Sequence, residues 1–501
     1  MLRIVLGLLF VPLFAFAIDP KSAPVPVAKQ VPQVIEQHGE KRSDPFFWIK
    51  SKTDADVLKY LKTENDYTLA VMKPTDALQK KLYDEYLSRI QQTDRDVPWR
   101  DRGYWYYTRT EEGKQYPIVC RKKGNLEAVE EIMLDGNVLG KDEKFFAVGE
   151  WRVSDDGHLL AYSTDTTGFR EYELSVKDLR TGKLVESKLV KAPGFEWAAN
   201  GTLFYVTEDD AKRASKVWRH TLGQPRDKDV MVFEEKDEEF WIEMARSRDG
   251  QYLFHSSVSF GSTEQWYLPA NKPTDPWKVI LPRQADIEYQ AGHRDGQFYI
   301  VTNKGATNFK VVTCPVGQTE NPAAFVDLMP YDRQVFIEGI ALFQNFAVLT
   351  VRTNGLPGLI VRDLKSGATH PISFDEPTWD VSLGQNPEFD VSSIRFTYSS
   401  MLTPESEFEY DLTTKSRKLL KKKEVPNYDP ANYQIERISA TASDGTKVPI
   451  SLIYPPISCI WNRGISKSSP VKIRDPRNRF VRRRTRNGLN QVCVQRWRQS
   501  K

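Results

Sequence analysis

Cysteine is scarce: four thiols in 501 residues, at Cys120, Cys314, Cys459 and Cys493, with no C-x-x-C pair among them. The spacing gives no support for a structural zinc site, and no paired disulfide framework is evident. No cofactor-binding or metal-ligating residue can be named on this basis, and both are expected to be absent. Long apolar runs are missing too: the longest, residues 4–16, is broken by Pro12 and falls short of the roughly 20 residues of a bilayer span. Preceded by Met1-Leu2-Arg3 and closed by Ala15-Phe16-Ala17, it reads as a secretory signal peptide over 1–17. The expectation is export, periplasmic or secreted, with no stable membrane span after cleavage. Residues 18–43, rich in Pro, Ala and Val at their start, are expected to form an extended lead-in.

An excess of either charge is also lacking, with 71 Lys and Arg against 67 Asp and Glu. The average conceals a polarity. Residues 456–501 contain 13 Lys and Arg and one acidic residue, a local +12 that leaves −8 for the rest. A mildly acidic body has no general electrostatic footprint for nucleic acid, so no specific nucleic-acid partner is expected.

What is present is hydrophobic patterning of two kinds. Over 44–93 apolar residues recur at three- and four-residue spacing, at Val57, Leu58 and Leu61 and again at Leu78, Leu82, Tyr83, Tyr86, Leu87 and Ile90. Two amphipathic helices follow, with Asp54 and Thr75 as N-caps and Pro74 between them. Over 94–424 the texture changes to short runs of Val, Ile, Tyr, Phe and Trp, punctuated by turn glycines at Gly103, Gly157, Gly201, Gly250 and Gly296, with Asn345 continuing the series.

These turns open similar words, such as Ser154-Asp-Asp-Gly157 and Arg248-Asp-Gly-Gln-Tyr-Leu-Phe254. A second recurring unit lies between them, in 173–182, 216–223, 265–268, 358–367 and 407–412, and is expected to supply the outer hairpin of each repeat. A period near 45–50 residues with about four strands matches a β-propeller blade, and 331 residues divided by roughly 47 gives about seven. A sandwich or barrel has turn signals as well, but no reason for this repeat length.

Helices, seven β repeats and then Glu436-Arg-Ile-Ser-Ala-Thr-Ala-Ser-Asp-Gly-Thr-Lys-Val-Pro-Ile-Ser-Leu-Ile-Tyr454 make a chain that resembles the prolyl oligopeptidase family of serine peptidases, in its oligopeptidase B-like branch. The matching words are Asp44-Pro-Phe-Phe-Trp48, Glu64-Asn-Asp-Tyr67, Gln115-Tyr-Pro-Ile-Val-Cys-Arg121, Ser154-Asp-Asp-Gly157, Tyr398-Ser-Ser-Met-Leu-Thr-Pro404 and Ala442-Ser-Asp-Gly-Thr-Lys-Val-Pro449. The resemblance implies a mostly β fold: a seven-bladed propeller that screens short peptides by size, preceded by helices that pack on an α/β-hydrolase domain. Residues 425–454 would begin that domain, and cleavage would follow Lys or Arg.

Acyl transfer of this kind needs a serine on a G-x-S-x-G elbow, a histidine base and an orienting aspartate. The elbow word occurs nowhere in the chain; Gly261-Ser-Thr-Glu-Gln265 and Gly464-Ile-Ser-Lys-Ser468 lack the second glycine. All six histidines, at 38, 158, 220, 255, 293 and 370, precede the stretch that would begin the hydrolase, and a lone His in a propeller strand is commonly structural. No residue is therefore assigned as catalytic. The expectation is a peptidase-family chain inactive as written. The alternative is a non-catalytic propeller that binds peptides or a protein partner.

After Tyr454 the pattern breaks into an aberrant basic tail, 455–501, with Arg482, Arg483, Arg484 and Arg486 around Thr485. Frame disruption explains an abrupt change inside a domain better than a polyanion-binding tail or a solvated end. Weaker signals are the sequon Asn200-Gly-Thr202, already explained as a turn, and two sets of carboxylates: Asp237, Glu238 and Glu239, candidates for a channel though a charge run is more often a solvated loop, and Glu405, a candidate for an interdomain cleft.

Overall fold

The computed structural model describes residues 24–199 and 201–456. The signal-peptide reading, Asn200 of the sequon, Cys459, Cys493 and nearly all of the basic tail lie outside them. The chain divides into two units, 1–90 and 91–501.

In the first unit an antiparallel hairpin pairs Gln33–Gln37 with Glu40–Asp44. It corrects the expectation of an extended lead-in: His38 and Gly39 both take positive φ, 53° and 80°, the twist a two-residue hairpin turn requires. Helix α1, Ala55–Met72, is capped by Asp54, whose carboxylate accepts from the amides of Asp56 and Val57. Helix α2, Asp76–Ser88, lacks the expected Thr75 cap. The Thr75 hydroxyl instead donates to the Met72 carbonyl at 2.6 Å, because the 3-10 turn Lys73–Thr75 carries the chain from one helix into the next without an extended N-cap residue. Leu58, Leu61, Leu69, Leu78, Leu82, Tyr83 and Tyr86 are exposed among the described residues, so the amphipathic pattern marks a bare face.

The second unit is built from seven antiparallel sheets, each a meander of consecutive strands. They occupy 94–135, 147–191, 195–234, 241–281, 289–329, 335–371 and 380–422. These are the blades of a β-propeller. The inner hairpins turn at Gly103, Gly157, Gly201, Gly250 and Gly296, all at φ between 65° and 80°, where a Cβ would be strained. The second recurring unit of the sequence supplies the third strand, as in Glu173–Asp178, Thr263–Pro269 and Leu356–Asp363.

Successive blades bury apolar faces against each other. Tyr106, Val119, Met133, Leu160 and Tyr162 join blades 1 and 2; Phe204, Val206, Ile242, Leu253 and Leu268 join blades 3 and 4; Phe343, Val348, Leu359, Ile394 and Phe396 join blades 6 and 7. The seam between blades 7 and 1 is different. As at every seam, no strand is shared across it, but here none of the apolar clusters of the described residues spans the junction either. It is held by Lys421, whose Nζ meets both oxygens of Asp94 at 2.7 and 2.6 Å and the Arg95 carbonyl at 2.6 Å, and by Arg395, which donates to the Pro98 carbonyl at 2.6 Å.

Gln434–Thr441 and Lys447–Tyr454 form a final two-stranded hairpin. It touches the propeller through the hydroxyl pair Thr378 and Ser451, 2.9 Å apart, and through a hydrogen bond from Arg437 to the Asn354 carbonyl. Cys120 and Cys314 are free and buried in strands. Among the described residues no helix is long and apolar enough to cross a membrane.

Candidate functional site

The inner strands surround a cavity of about 1170 Å³ to which every blade contributes. Trp99 and Asp101 come from blade 1, Trp151 and Arg152 from blade 2, Glu196 from blade 3, Arg246 from blade 4, Gly292 from blade 5, Ala341 from blade 6 and Leu383 from blade 7. Trp99 stacks on Tyr106 at 4.7 Å between ring centroids, and Trp151 lies 6.0 Å from each. This aromatic wall gives an extended ligand an apolar surface beside charged groups.

Strand direction fixes what lies at each end. Each inner strand runs into the turn of the inner hairpin, so Arg102, Asp155 and Arg248 share one mouth. The turns between second and third strands, and the links from one blade to the next, lie at the other. Asn354 and Thr378 belong to that second set, so the final hairpin is attached at the second mouth. Asp96, which precedes the inner strand of blade 1, and Glu407, at the start of a third strand, line the channel toward it.

At the first mouth Asp155 accepts from both guanidinium ends of Arg246, at 2.7 and 2.8 Å, and pairs with Arg102 at 2.7 Å. Burial opposes ionisation of Asp155, but the two arginines outweigh it and hold the carboxyl below its ordinary range. The opposite holds for Glu196 and Asp101, which burial pushes up despite Arg152 and Arg102. Asp96 and Glu407 are likewise raised by burial against the pull of Lys421 and Arg395. The channel therefore holds carboxyl groups of several acidities, each set by how far its partners offset desolvation.

The histidines expected to be structural are distributed accordingly. His38 sits in the first hairpin turn, and His158 is half-buried beside Asp156. His220 meets Asp229 at 2.7 Å in blade 3, and His370 meets the Tyr410 hydroxyl at 3.0 Å. His255 is fully buried with neither ring nitrogen paired.

His293 belongs to a Ser–Asp–His chain, with Ser247 Oγ 2.6 Å from Asp249 Oδ1 and Asp249 Oδ2 2.6 Å from His293 Nδ1. The order is wrong for nucleophile activation. A carboxylate, not an imidazole, faces the hydroxyl, and His293 Nε2 already accepts from the Gly296 amide at 3.1 Å. The proton must then sit on Nδ1, facing Asp249, and the ring has no lone pair left to act as a base toward serine. Among the described residues no three His, Cys, Asp or Glu side chains are grouped to hold a metal ion.

Asp237, Glu238 and Glu239 are exposed and stand outside the channel, as does Glu405. The channel charges themselves were not singled out from the sequence. Arg246 and Asp155 are 91 positions apart, and no local pattern announces such a pair.

The model of the prolyl oligopeptidase N-terminal β-propeller domain matches residues 26–423. The chain belongs to the prolyl oligopeptidase family. Within that family it is 39% identical over 461 residues to dipeptidyl aminopeptidase BI of Pseudoxanthomonas mexicana, covering 87% of this chain and 63% of that protein. Protease 2 of Moraxella lacunata is 30% identical over 440 residues, covering 86% and 63%. Among solved structures, oligopeptidase B from Trypanosoma brucei superposes with a TM-score of 0.79 at 30% identity, over 86% of this chain and 65% of that one. Oligopeptidase B from Leishmania major gives 0.79 at 29%, over 87% and 66%. This prolyl oligopeptidase family chain thus spans under two thirds of the length of these relatives.

Proposed function

We propose that the chain is the peptide-receiving part of an exported, oligopeptidase B-like serine peptidase, and that it does not itself cleave peptide bonds. The observation that carries the reading is the channel: a ring of seven blades around a cavity with an aromatic wall and ionisable groups at both ends, dimensions and chemistry suited to a single extended peptide. The absence of a G-x-S-x-G word and the inverted Ser247–Asp249–His293 order support the second half. Short peptides carrying Lys or Arg are the proposed ligands, by analogy with the oligopeptidase B relatives.

Incubation of the purified 501-residue chain with a Lys- or Arg-terminated chromogenic peptide is expected to release no chromophore and to leave a serine-directed acylating inhibitor unincorporated. Turnover blocked by that inhibitor would overturn the reading. The coding DNA beyond the Tyr454 codon, translated in its other two frames, is expected to contain the missing serine word.

The alternative is a propeller that binds peptides or a protein partner without any hydrolase function. It rests on the same closed channel. A monodisperse chain that binds peptides in solution favours it, whereas an insoluble product, from the bare apolar face of α1 and α2, favours the broken-peptidase reading.

A further inference from the structure

Four arginines line the channel, and three of them are spent on protein carboxylates. Arg102 and Arg246 share Asp155, and Arg152 lies 3.3 Å from Glu150 and 3.4 Å from Glu196. Arg248 is different. It follows the inner strand of blade 4, and among the described residues it has no hydrogen-bond or ion-pair partner. The carboxylate beside it, Asp249, is committed to Ser247, His293 and the Gln251 amide.

The Arg248 guanidinium lies over the ring of Phe343, 4.7 Å from its centroid. Phe343 lies in the turn that follows the inner strand of blade 6 and is fully buried, so the Arg248 side chain reaches past the inner strand of blade 5 to lie on it. The ring holds the guanidinium plane by a cation–π contact but uses none of its N–H groups. Burial without a compensating carboxylate brings the Arg248 pKa down to about 10, which still leaves a cation at neutral pH. A flat, supported fork of donors facing a cavity fits a carboxylate through two parallel hydrogen bonds.

The polarity of the channel orients such a ligand. Asp96 and Glu407 lie toward the second mouth and would face an amino-terminal or basic end, whereas Arg248 waits at the first.

We propose that Arg248 is an anion-binding residue that takes a carboxylate of a peptide lodged in the channel, from the chain terminus or an acidic side chain. The proposal rests on the peptide-receiving reading.

The test is titration calorimetry of the full chain with one short Lys-containing peptide in three forms: free acid, C-terminal amide, and amide with one internal Asp. The free acid is expected to bind about 10- to 100-fold more tightly than the amide. Recovery of affinity in the Asp-containing amide assigns a side-chain carboxylate as a competent source, and no recovery restricts the residue to the terminus. Arg248→Gln is expected to equalise acid and amide, with Arg248→Lys retaining part of the difference. Inorganic sulfate is expected to compete with the acid and not with the amide, a comparison that needs no variant. Equal affinity of the wild-type chain for acid and amide overturns the proposal while leaving peptide reception intact, as does undiminished discrimination in Arg248→Gln. If no form of the peptide binds, the channel reading fails and this assignment fails with it.

Discussion

Arg246 closes on Asp155 with both ends of its guanidinium, Nη1 to Oδ1 at 2.7 Å and Nη2 to Oδ2 at 2.8 Å, so that the inner strand of blade 4 is tied to the first turn of blade 2. The tie passes over blade 3, whose inner strand is only Phe195–Trp197. A mouth of the channel is thereby spanned by one bidentate pair, with Arg102 completing it from blade 1.

Asp155→Asn should loosen this mouth. Because Asp155 is half exposed, the expected loss of stability is modest, about 1 kcal/mol. Acrylamide should quench Trp99 and Trp151 faster in the variant. High salt should bring the wild type toward the variant's melting temperature, since the pair is partly screened; equal quenching in both proteins would show that the pair does not restrict the mouth.

His255 is buried among Phe233, Trp266 and Trp277, with ring centroids at 4.3, 5.8 and 4.7 Å. Burial alone pushes its pKa down to about 3. The folded chain therefore binds fewer protons here than the unfolded chain, whose His titrates near 6.5, about the model-peptide value. This site's contribution is complete above that pH and is lost at about 1.4 kcal/mol per unit as pH falls toward 3. His255→Leu removes two unpaired nitrogens and is expected to stabilise the fold by about 1–3 kcal/mol at pH 7. Urea midpoints at pH 7 and pH 5 should fall less in the variant; identical falls would place the acid sensitivity elsewhere.

The buried pair of Asp249 and His293, each almost wholly excluded from solvent, should be far more sensitive. Burial pushes the Asp249 pKa up, but the bonds from His293 and Ser247 outweigh it, and the net direction is down. Asp249→Ala strands the His293 N–H and the Ser247 hydroxyl together. The expected cost is about 3–5 kcal/mol in denaturant unfolding, with Asp249→Asn intermediate.

Lys421→Met tests the seam. Lys421 and Asp94 are about one-third exposed, so the global loss should be about 1 kcal/mol. The informative readout is local: amide exchange is expected to speed up in blades 1 and 7 and to stay unchanged in blade 4. Uniform acceleration would mean that the ring opens only by global unfolding.

Much of this architecture was legible in the sequence because turn chemistry is local. Gly157 and Gly250 announce their hairpins through φ values near 74° that other residues avoid, and such glycines set the blade period. The first turn of blade 7 escaped that series. Its strands Asp380–Leu383 and Ser393–Ser399 are joined by a long link, held where Asn386 donates to the Gly384 and Arg395 carbonyls, and no Asp-Gly marks it. The hairpin at 33–44 was missed because Glu40–Asp44 is charged almost throughout, although His38-Gly39 carried a turn signal. The Thr75 cap failed because the helix-starting residue type does not reveal that a 3-10 turn already leads into the helix.

The channel was the least legible part. Which residues of Trp241–Arg246 face the axis depends on register, and their partners come from blades dozens of residues away. That Arg248 lacks a carboxylate is a fact about the other blades, and nothing in Arg248-Asp-Gly250 foretells it.

The meander order has a consequence for how the ring is made. Each sheet is finished by a continuous stretch of chain before the next begins, so during synthesis blades can settle one after another on the apolar face just completed, with short loops to close. Among the described residues, the contacts of Lys421 with Asp94, of Arg395 with Pro98 and of Arg100 with Glu388 join segments some three hundred positions apart. The growing protein is thus an open arc with an uncovered first blade until its seventh emerges, and the last event of assembly is the meeting of two polar edges, not the burial of a core.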